Sequence, residues 1–325
     1  MDCSIRVVPL ARIAEEDQRF RITTHTSLDD LSRSIQTVGL INAPTLLPRN
    51  DDFVVVSGFG RIAACRSLGW RELTARCLPA QADPVLCALT AIADNLSQRA
   101  LDLVETARAW GLLSHVAASP QDIEALAHSV GLAVNHELAS KLKQVLQMAQ
   151  PLQQALIDGH LALPIAMRLH AMSDVAAAKE LVTLFQELQL SLNRQREVLE
   201  WIQGIAGREG IPPQAVLTAA PVADWRHDPQ MDRGQKTQLV RHYLKKRRYP
   251  QITAFEEHYQ RTIKELKLAQ GMQLVAPQHF EGQKYTLQLE FKNADELQRL
   301  CREAERAAGS PTMMKLLNAT DSPSL

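Results

Sequence analysis

Short apolar runs and longer periodic ones alternate over the first 90 residues. Ile5–Leu10, Phe53–Ser57 and Leu73–Leu78 are brief and rich in β-branched or apolar side chains, the pattern of strands. Leu28, Leu31, Ile35 and Val38 recur at spacings of three or four, which predicts a helix over Ser27–Val38 with that face inward. Ser27 stands where a hydroxyl caps the first turn. Asp29 and Asp30 suit the positive end of the helix, and Gly39 suits its carboxy-terminal cap. Gly60–Leu68 is a second helical stretch, closed by Gly69. Residues 1–90 therefore read as a small mixed α/β domain.

From residue 84 to 204 the pattern is almost wholly helical, with breaks at Ala118–Pro120, Gly131, Pro151, Gly159, Pro164 and Ser173–Asp174. Residues 91–210 read as an all-helical domain. Gly210–Pro213 and Pro221 mark a linker, and 252–269 reads as a helix. Tyr285–Phe291 alternates apolar and polar positions as a half-buried strand does, Ala294–Ala307 follows as a helix, and the tail after Gly309 reads as frayed. Residues 211–325 thus hold a linker, a basic helical segment and a smaller α/β domain. The fold class expected is α+β.

Composition narrows this picture modestly. The 325 residues are 46% hydrophobic and 22% charged, which suits a globular protein with sizeable cores. Aromatic residues make up 5%, too few for an obvious stacking platform for single-stranded nucleic acid. With 36 basic and 36 acidic side chains, the whole surface is not built to coat a polyanion. The charge is uneven, however: residues 224–250 carry eight basic side chains against three acidic ones, ending in Lys245, Lys246, Arg247 and Arg248. That run reads either as a solvated face or as phosphate contacts. Cys3, Cys65, Cys77, Cys87 and Cys301 form no C-x-x-C pair, as expected of reduced thiols in a cytoplasmic protein. No secretory leader and no apolar run of about 18 residues is read, so no membrane partner is expected.

Three stretches carry candidate chemistry. Val54–Gly69 runs from a strand through Gly58 and Gly60 into a helix bearing Arg61. Glycines, a helix amino terminus and a guanidinium together suit an anion, although the same pattern also serves as a plain structural turn. Asp94–Glu105 gathers acids, amides and an arginine on what should be helix. Asp94 offers oxygen to a divalent metal, and Asn95 and Arg99 share a face at i and i+4; the alternative is a solvated helical face. The third stretch is Ser119–Met148. Ser119 or Pro120 starts one helix, Gly131 turns the chain, and Asn135 caps a second helix with Leu138, Leu142, Val145 and Leu146 inward. This is the helix-turn-helix plan, shared with ordinary helical hairpins. The outward side would present His136, Glu137, Ser140, Lys141, Lys143 and Gln144 to base edges or phosphates, with Glu137 pointing aside.

In order and spacing these stretches resemble the ParB family of DNA-partition proteins. Gly39–Pro44 (GLINAP) is similar to the family's GLxxP segment, Gly58–Ala64 (GFGRIAA) to GERRxRA, and Asp94–Ala107 to ENLQRxDLxPxEEA. The helix-turn-helix and Ile157–Leu169 are similar to the family's central DNA-binding domain, so that the resemblance covers residues 4–175. It implies a CTP pocket with magnesium, built from Gly58, Gly60, Arg61, Asn95, Gln98 and Arg99, with Asp94 at the metal. It departs from the family where Phe59 and Gly60 replace Glu-Arg, where Ala64 replaces a later arginine, and where Gln98 holds the arginine position with Arg99 one place beyond. For DNA it implies Asn135, His136, Ser140, Lys141, Lys143 and Arg168, joined by Lys245–Arg248 if that run meets phosphate. The reading is of a nucleoid-associated, sequence-specific binder of double-stranded DNA, acting in chromosome or plasmid partition or in regulation. It would be a homodimer, with a ParA-like ATPase as partner; by composition alone, Tyr285–Phe291 and the helix after it suit an oligomer interface. The alternative is an enzyme on the same scaffold, a CTPase switch or a nuclease-like protein, although no acidic cluster reads as a two-metal site.

Overall fold

The computed structural model describes residues 3–24, 27–277 and 284–318. The chain divides into two compact units, one up to Leu192 and one from Asn193. The fold is α+β, as the sequence pattern implies.

The first unit begins with a five-stranded mixed sheet. Its strands are β1 (Ser4–Pro9), β2 (Ile13–Ala14), β3 (Thr45–Arg49), β4 (Asp52–Ser57) and β5 (Glu72–Cys77), in the order β1-β5-β3-β4-β2. β1 pairs antiparallel with β5 from Ser4↔Cys77 to Pro9↔Glu72. β3 and β4 form a hairpin whose tip holds Asn50 in the left-handed region. β2 and β3 are not among the strands expected from the sequence. β2 has two residues, and β3 contains Pro48, which argues against a strand. Pro48 is accommodated because the β3–β5 ladder involves only Thr45 and Leu46.

Two helices, α1 (Asp29–Val38) and α2 (Phe59–Ser67), pack on this sheet. Ile35 from α1 and Ile62, Ala64 and Cys65 from α2 join Val8, Leu46, Val55 and Ala75 in the core. Two expectations for α1 are corrected. Ser27 does not cap it: the cap position is Leu28, with no side-chain hydrogen bond. Val38 is 61% exposed rather than inward, because only the middle of the helix meets the sheet module. Cys65, Cys77 and Cys87 are free and buried, and desolvation pushes their thiols up, which keeps them protonated and inert.

Seven helices complete this unit: α3 (Pro84–Leu96), α4 (Leu103–Val116), α5 (Pro120–Ser129), α6 (His136–Gln147), α7 (Gln150–Ile157), α8 (Leu163–His170) and α9 (Val175–Leu188). Their starts follow local chemistry. Asp83, Asp102, Ser119, Asn135 and Asp174 each accept a backbone N–H at a helix amino terminus. Pro84, Pro120, Pro151 and Pro164 stand in first turns, where the missing N–H costs nothing. One helix expected from the sequence is in fact two. The stretch 94–105 breaks after Leu96 and restarts at Leu103.

The second unit contains α10 (Leu192–Glu209), α11 (Pro213–Leu217), α12 (Ala220–His227), α13 (Arg233–Arg248), α14 (Pro250–Leu266), the hairpin β6 (Met272–Val275) and β7 (Thr286–Leu289), α15 (Ala294–Ala308) and α16 (Pro311–Asn318). The proline-rich stretch near residue 211 thus carries two short helices. The tail after Gly309, expected to fray, forms α16, with Met313 and Leu316 buried against Tyr259 and Leu274. A two-stranded sheet is marginal alone. Here the Tyr259 hydroxyl donates to the Leu274 carbonyl at 2.6 Å and ties β6 to α14.

Gly58 is the turn on which the sheet module depends. Its φ is +90°, and a Cβ there would lie 2.7 Å from Pro44 Cβ. Gly58→Ala is expected to destabilise the chain by about 1–3 kcal/mol, read as a lower urea midpoint.

Candidate functional site

The seven residues proposed for nucleotide and metal converge. Gly58, Gly60, Arg61, Asp94, Asn95, Gln98 and Arg99 all line one cavity of about 360 Å³, at the small end of the range for a small-molecule site. β4 delivers Gly58 to the amino terminus of α2, while the end of α3 and the turn after it deliver Asp94–Arg99. Thr23, Ser27 and Asn42 complete a polar rim, and Leu28, Leu31 and Ile41 an apolar side. Ser27 thus serves the cavity wall instead of a helix cap.

The charges in this cavity are already paired. Arg61 is 9% exposed. It donates to the carbonyls of Asn42 and Ala43 at 3.2 and 3.3 Å and to the Asp94 carboxylate. Asp94 is the one carboxylate among the lining residues, so a cation there would compete with Arg61. Gln98 donates to the Asp94 carbonyl and Asn95 to the Ala91 carbonyl. Among the described residues no group of three or more His, Cys, Asp or Glu is placed to hold a metal ion.

Arg99 lies beyond the end of α3, so its direction is set by tertiary contacts and not by helical phase. Its guanidinium donates to both oxygens of Glu105, at 2.5 and 2.6 Å. Glu105 has no solvent exposure. It also accepts from the Thr24 amide at 2.9 Å and the Asp102 amide at 3.1 Å, while Asp102 accepts from the Glu105 amide at 2.8 Å to complete a capping box. The Thr24 hydroxyl donates to Asp102 at 2.6 Å, and Arg108 donates to the Thr23 carbonyl at 3.0 Å. The irregular segment before α1 is thereby strapped onto α4. Sequence reading does not find Thr24, Glu105 or Arg108 as partners, although the D-x-x-E spacing of Asp102 and Glu105 announces the start of α4.

The helix-turn-helix is formed by α5 and α6. Ser119 Oγ accepts from the Asp122 amide at 3.3 Å, Gly131 turns at φ +77°, and Asn135 Oδ1 accepts from the Leu138 amide at 2.8 Å. Asn135 therefore spends its side-chain oxygen on the cap. Ala139, Leu142 and Val145 are buried, and Leu138 is half-buried. Leu146 is 38% exposed, not inward, and lies over Gly111 of α4, where a Cβ would come within 2.7 Å of it. Ser140 and Lys143 are exposed, and Lys141 pairs with Glu137 at 2.5 Å along the same helix. The side chain of His136 lies outside the described residues. Arg168 is half-buried on α8.

In the second unit, the basic run is largely neutralised. Lys245 pairs with Glu256 at 2.7 Å, Lys246 with Glu257 at 3.0 Å and Arg247 with Glu209 at 2.5 Å. Arg248 lies 4.7 Å from the centre of the Tyr249 ring. Among the described residues no helix is long and apolar enough to cross a membrane.

No family model matches the chain. The nucleoid occlusion protein of Halalkalibacterium halodurans is 26% identical over 170 residues, covering 52% of this chain and 58% of that protein. The nucleoid occlusion protein of Shouchella clausii is 26% identical over 168 residues, covering 52% and 57%. The chain thus spans little more than half the length of the curated relatives it matches. Among solved structures, the truncated chromosome-partitioning protein ParB of Caulobacter crescentus in complex with CTP-γ-S aligns at 22% identity and TM-score 0.26, over 55% of this chain and 98% of that one. The same protein complexed to the centromeric parS site aligns at 21% and 0.33, over 58% and 96%. A Pnob8-like ParB-N domain aligns at 13% and 0.34, over 74% and 93%.

The pH behaviour of Glu105 tests the strap. Burial pushes its carboxyl up, but the hydrogen bonds from Arg99, Thr24 and Asp102 outweigh this and hold it at about 2, below the usual 4.5. A depressed folded-state pKa stabilises above the unfolded value and is lost as pH falls through the folded one. The contribution, ~3 kcal/mol, is therefore expected to fade between pH 4.5 and 2. Glu105→Gln should flatten that part of the stability–pH curve, measured by urea unfolding at each pH.

Proposed function

We propose that this chain is a sequence-specific double-stranded DNA-binding protein of the ParB-like kind, serving DNA partition, nucleoid organisation or regulation. The observation that carries the reading is α5–α6: two capped helices turned at Gly131, the second seated on α4 by its Ala139–Leu142–Val145 side, with Ser140 and Lys143 outward. In such an arrangement the second helix enters the major groove. Lys143 has no ion pair among the described residues and is the better phosphate contact. Lys141 must first leave Glu137. The paired run Lys245–Arg248 would contribute less, since its charges already face carboxylates. A homodimer would present two such helices to paired half-sites, and a ParA-like ATPase is the partner that the ParB resemblance suggests. Fluorescence anisotropy with duplex DNA at increasing salt tests this. Lys143→Ala is expected to weaken binding on all sequences and to lower the salt slope by about 1. No binding at low salt by the folded chain would end the reading.

A second reading concerns the cavity, and it rests on the convergence of seven predicted residues there. It would take CTP, with the amino terminus of α2 suited to the phosphates and Asp94 the residue that would hold magnesium. The residues fit a nucleoside better than a triphosphate with its metal, because Arg61 and Arg99 are both ion-paired and Asp94 is engaged. Binding of CTP, rather than its hydrolysis or the cleavage of DNA, is the activity proposed. A Cβ at Gly60 meets nothing closer than 3.5 Å, and an acid suits a helix amino terminus, so Gly60→Asp should fold normally. It is expected to reduce CTP affinity roughly tenfold or more in calorimetry, by repelling phosphate. No heat with CTP, with or without magnesium, would end this reading and leave the DNA reading standing.

A further inference from the structure

The largest cleft of those described in the first unit is not the one at Gly58–Arg99. It has a volume of about 750 Å³ and opens where the sheet module meets α4 and α6. Its wall is apolar: Phe20, Leu47 of β3, Leu112 and Val116 of α4, and Leu146 of α6. Leu146 is the helix-turn-helix leucine that the sequence places inward and the structure leaves 38% exposed. A cleft of this size takes a drug-sized ligand.

Its charge is one-sided. Arg19, Arg21 and Arg108 line it and no carboxylate does. Arg19 is satisfied by Asp17 at 2.6 Å. Arg21 and Arg108 have no ion pair among the described residues. Arg21 donates to the Gln18 amide oxygen at 3.1 Å, and Arg108 donates to the carbonyls of Ile22 and Thr23. The same two arginines also line a second cavity with Gln150, Gln153 and Gln154. Two guanidinium groups held only by neutral acceptors, in one cleft with an apolar wall, match a ligand with one anionic head and an apolar body. A neutral apolar ligand would gain only surface burial. A polyanion would have to lay charge on leucine and phenylalanine, which costs more than two arginines return.

We propose that this cleft binds an anionic amphiphile, its apolar body against Phe20, Leu112 and Leu146 and its single anionic head between Arg21 and Arg108. The site is separate from the cavity at Gly58–Arg99 and does not depend on the DNA reading. The probe is 8-anilinonaphthalene-1-sulfonate, an aromatic body with one sulfonate, titrated into the full chain by fluorescence. N-phenyl-1-naphthylamine, its neutral counterpart, is titrated in parallel. One saturable site is expected for the sulfonate, with the neutral dye weaker or absent. Arg21→Gln, which leaves the Arg108 strap intact, should weaken the sulfonate roughly tenfold and leave the neutral dye unchanged. Ala82→Trp, at the cleft wall, should weaken both, and circular dichroism should show both variants folded. Equal affinity for the two dyes, indifference of the sulfonate to Arg21→Gln in a folded variant, or binding that never saturates would overturn the proposal.

Discussion

A carboxylate with no access to water ties three separate parts of the first unit to one another. Burying Glu105 unpaired would cost several kcal/mol, and the chain meets that cost with donors from three places: the turn after α3, the segment before α1, and the cap of α4. Those donors are far apart in sequence. Thr24 and Glu105 are separated by 81 positions, so their bond is a tertiary decision that no local propensity supplies. Once Glu105 is satisfied, α4 is anchored at its first turn beside the candidate cavity. Further along the same helix, Gly111 leaves the space in which Leu146 of α6 settles. One rigid helix therefore connects Arg99, which lines the cavity, with the helix-turn-helix.

The zero net charge has a structural counterpart. Arg61 faces Asp94, Arg99 faces Glu105, Lys141 faces Glu137, and the basic run of α13 faces Glu209, Glu256 and Glu257. A count of basic residues along the chain overstates the positive field available to a polyanion. Among the described side chains of α6, the outward polar ones outside an ion pair are Ser140, Lys143 and Gln147, with Gln144 half-buried. Against DNA, such a surface would rely more on shape and base-edge contacts than on long-range attraction, and screening by salt would matter less to it than to a wholly basic helix.

Much of the local structure was legible. Gly58 and Gly131 take positive φ where turns were expected, and Ser119 and Asn135 cap as their types suggest. What was not legible depended on partners distant in sequence. Periodicity turned Leu146 inward because it counts residues along one helix, whereas Gly111 lies on another. The break after Leu96 escaped notice because no glycine or proline marks it, although Asp102 and Glu105 carry a capping-box signature. β3 was hidden by Pro48, and α16 by the polar tail that follows it. By spacing alone the cavity residues were separate motifs; only the ParB resemblance grouped them, and the sheet brings them together by placing the end of β4 beside α3.

The central claim is that α6 reads DNA sequence. Selection of duplexes from a random-sequence library by the purified chain tests it most directly. The account predicts enrichment of one recurring motif, lost when Ser140 and Lys143 are both changed to alanine in a chain that still folds. Recovery of duplexes with no shared motif by the natively folded chain would contradict it.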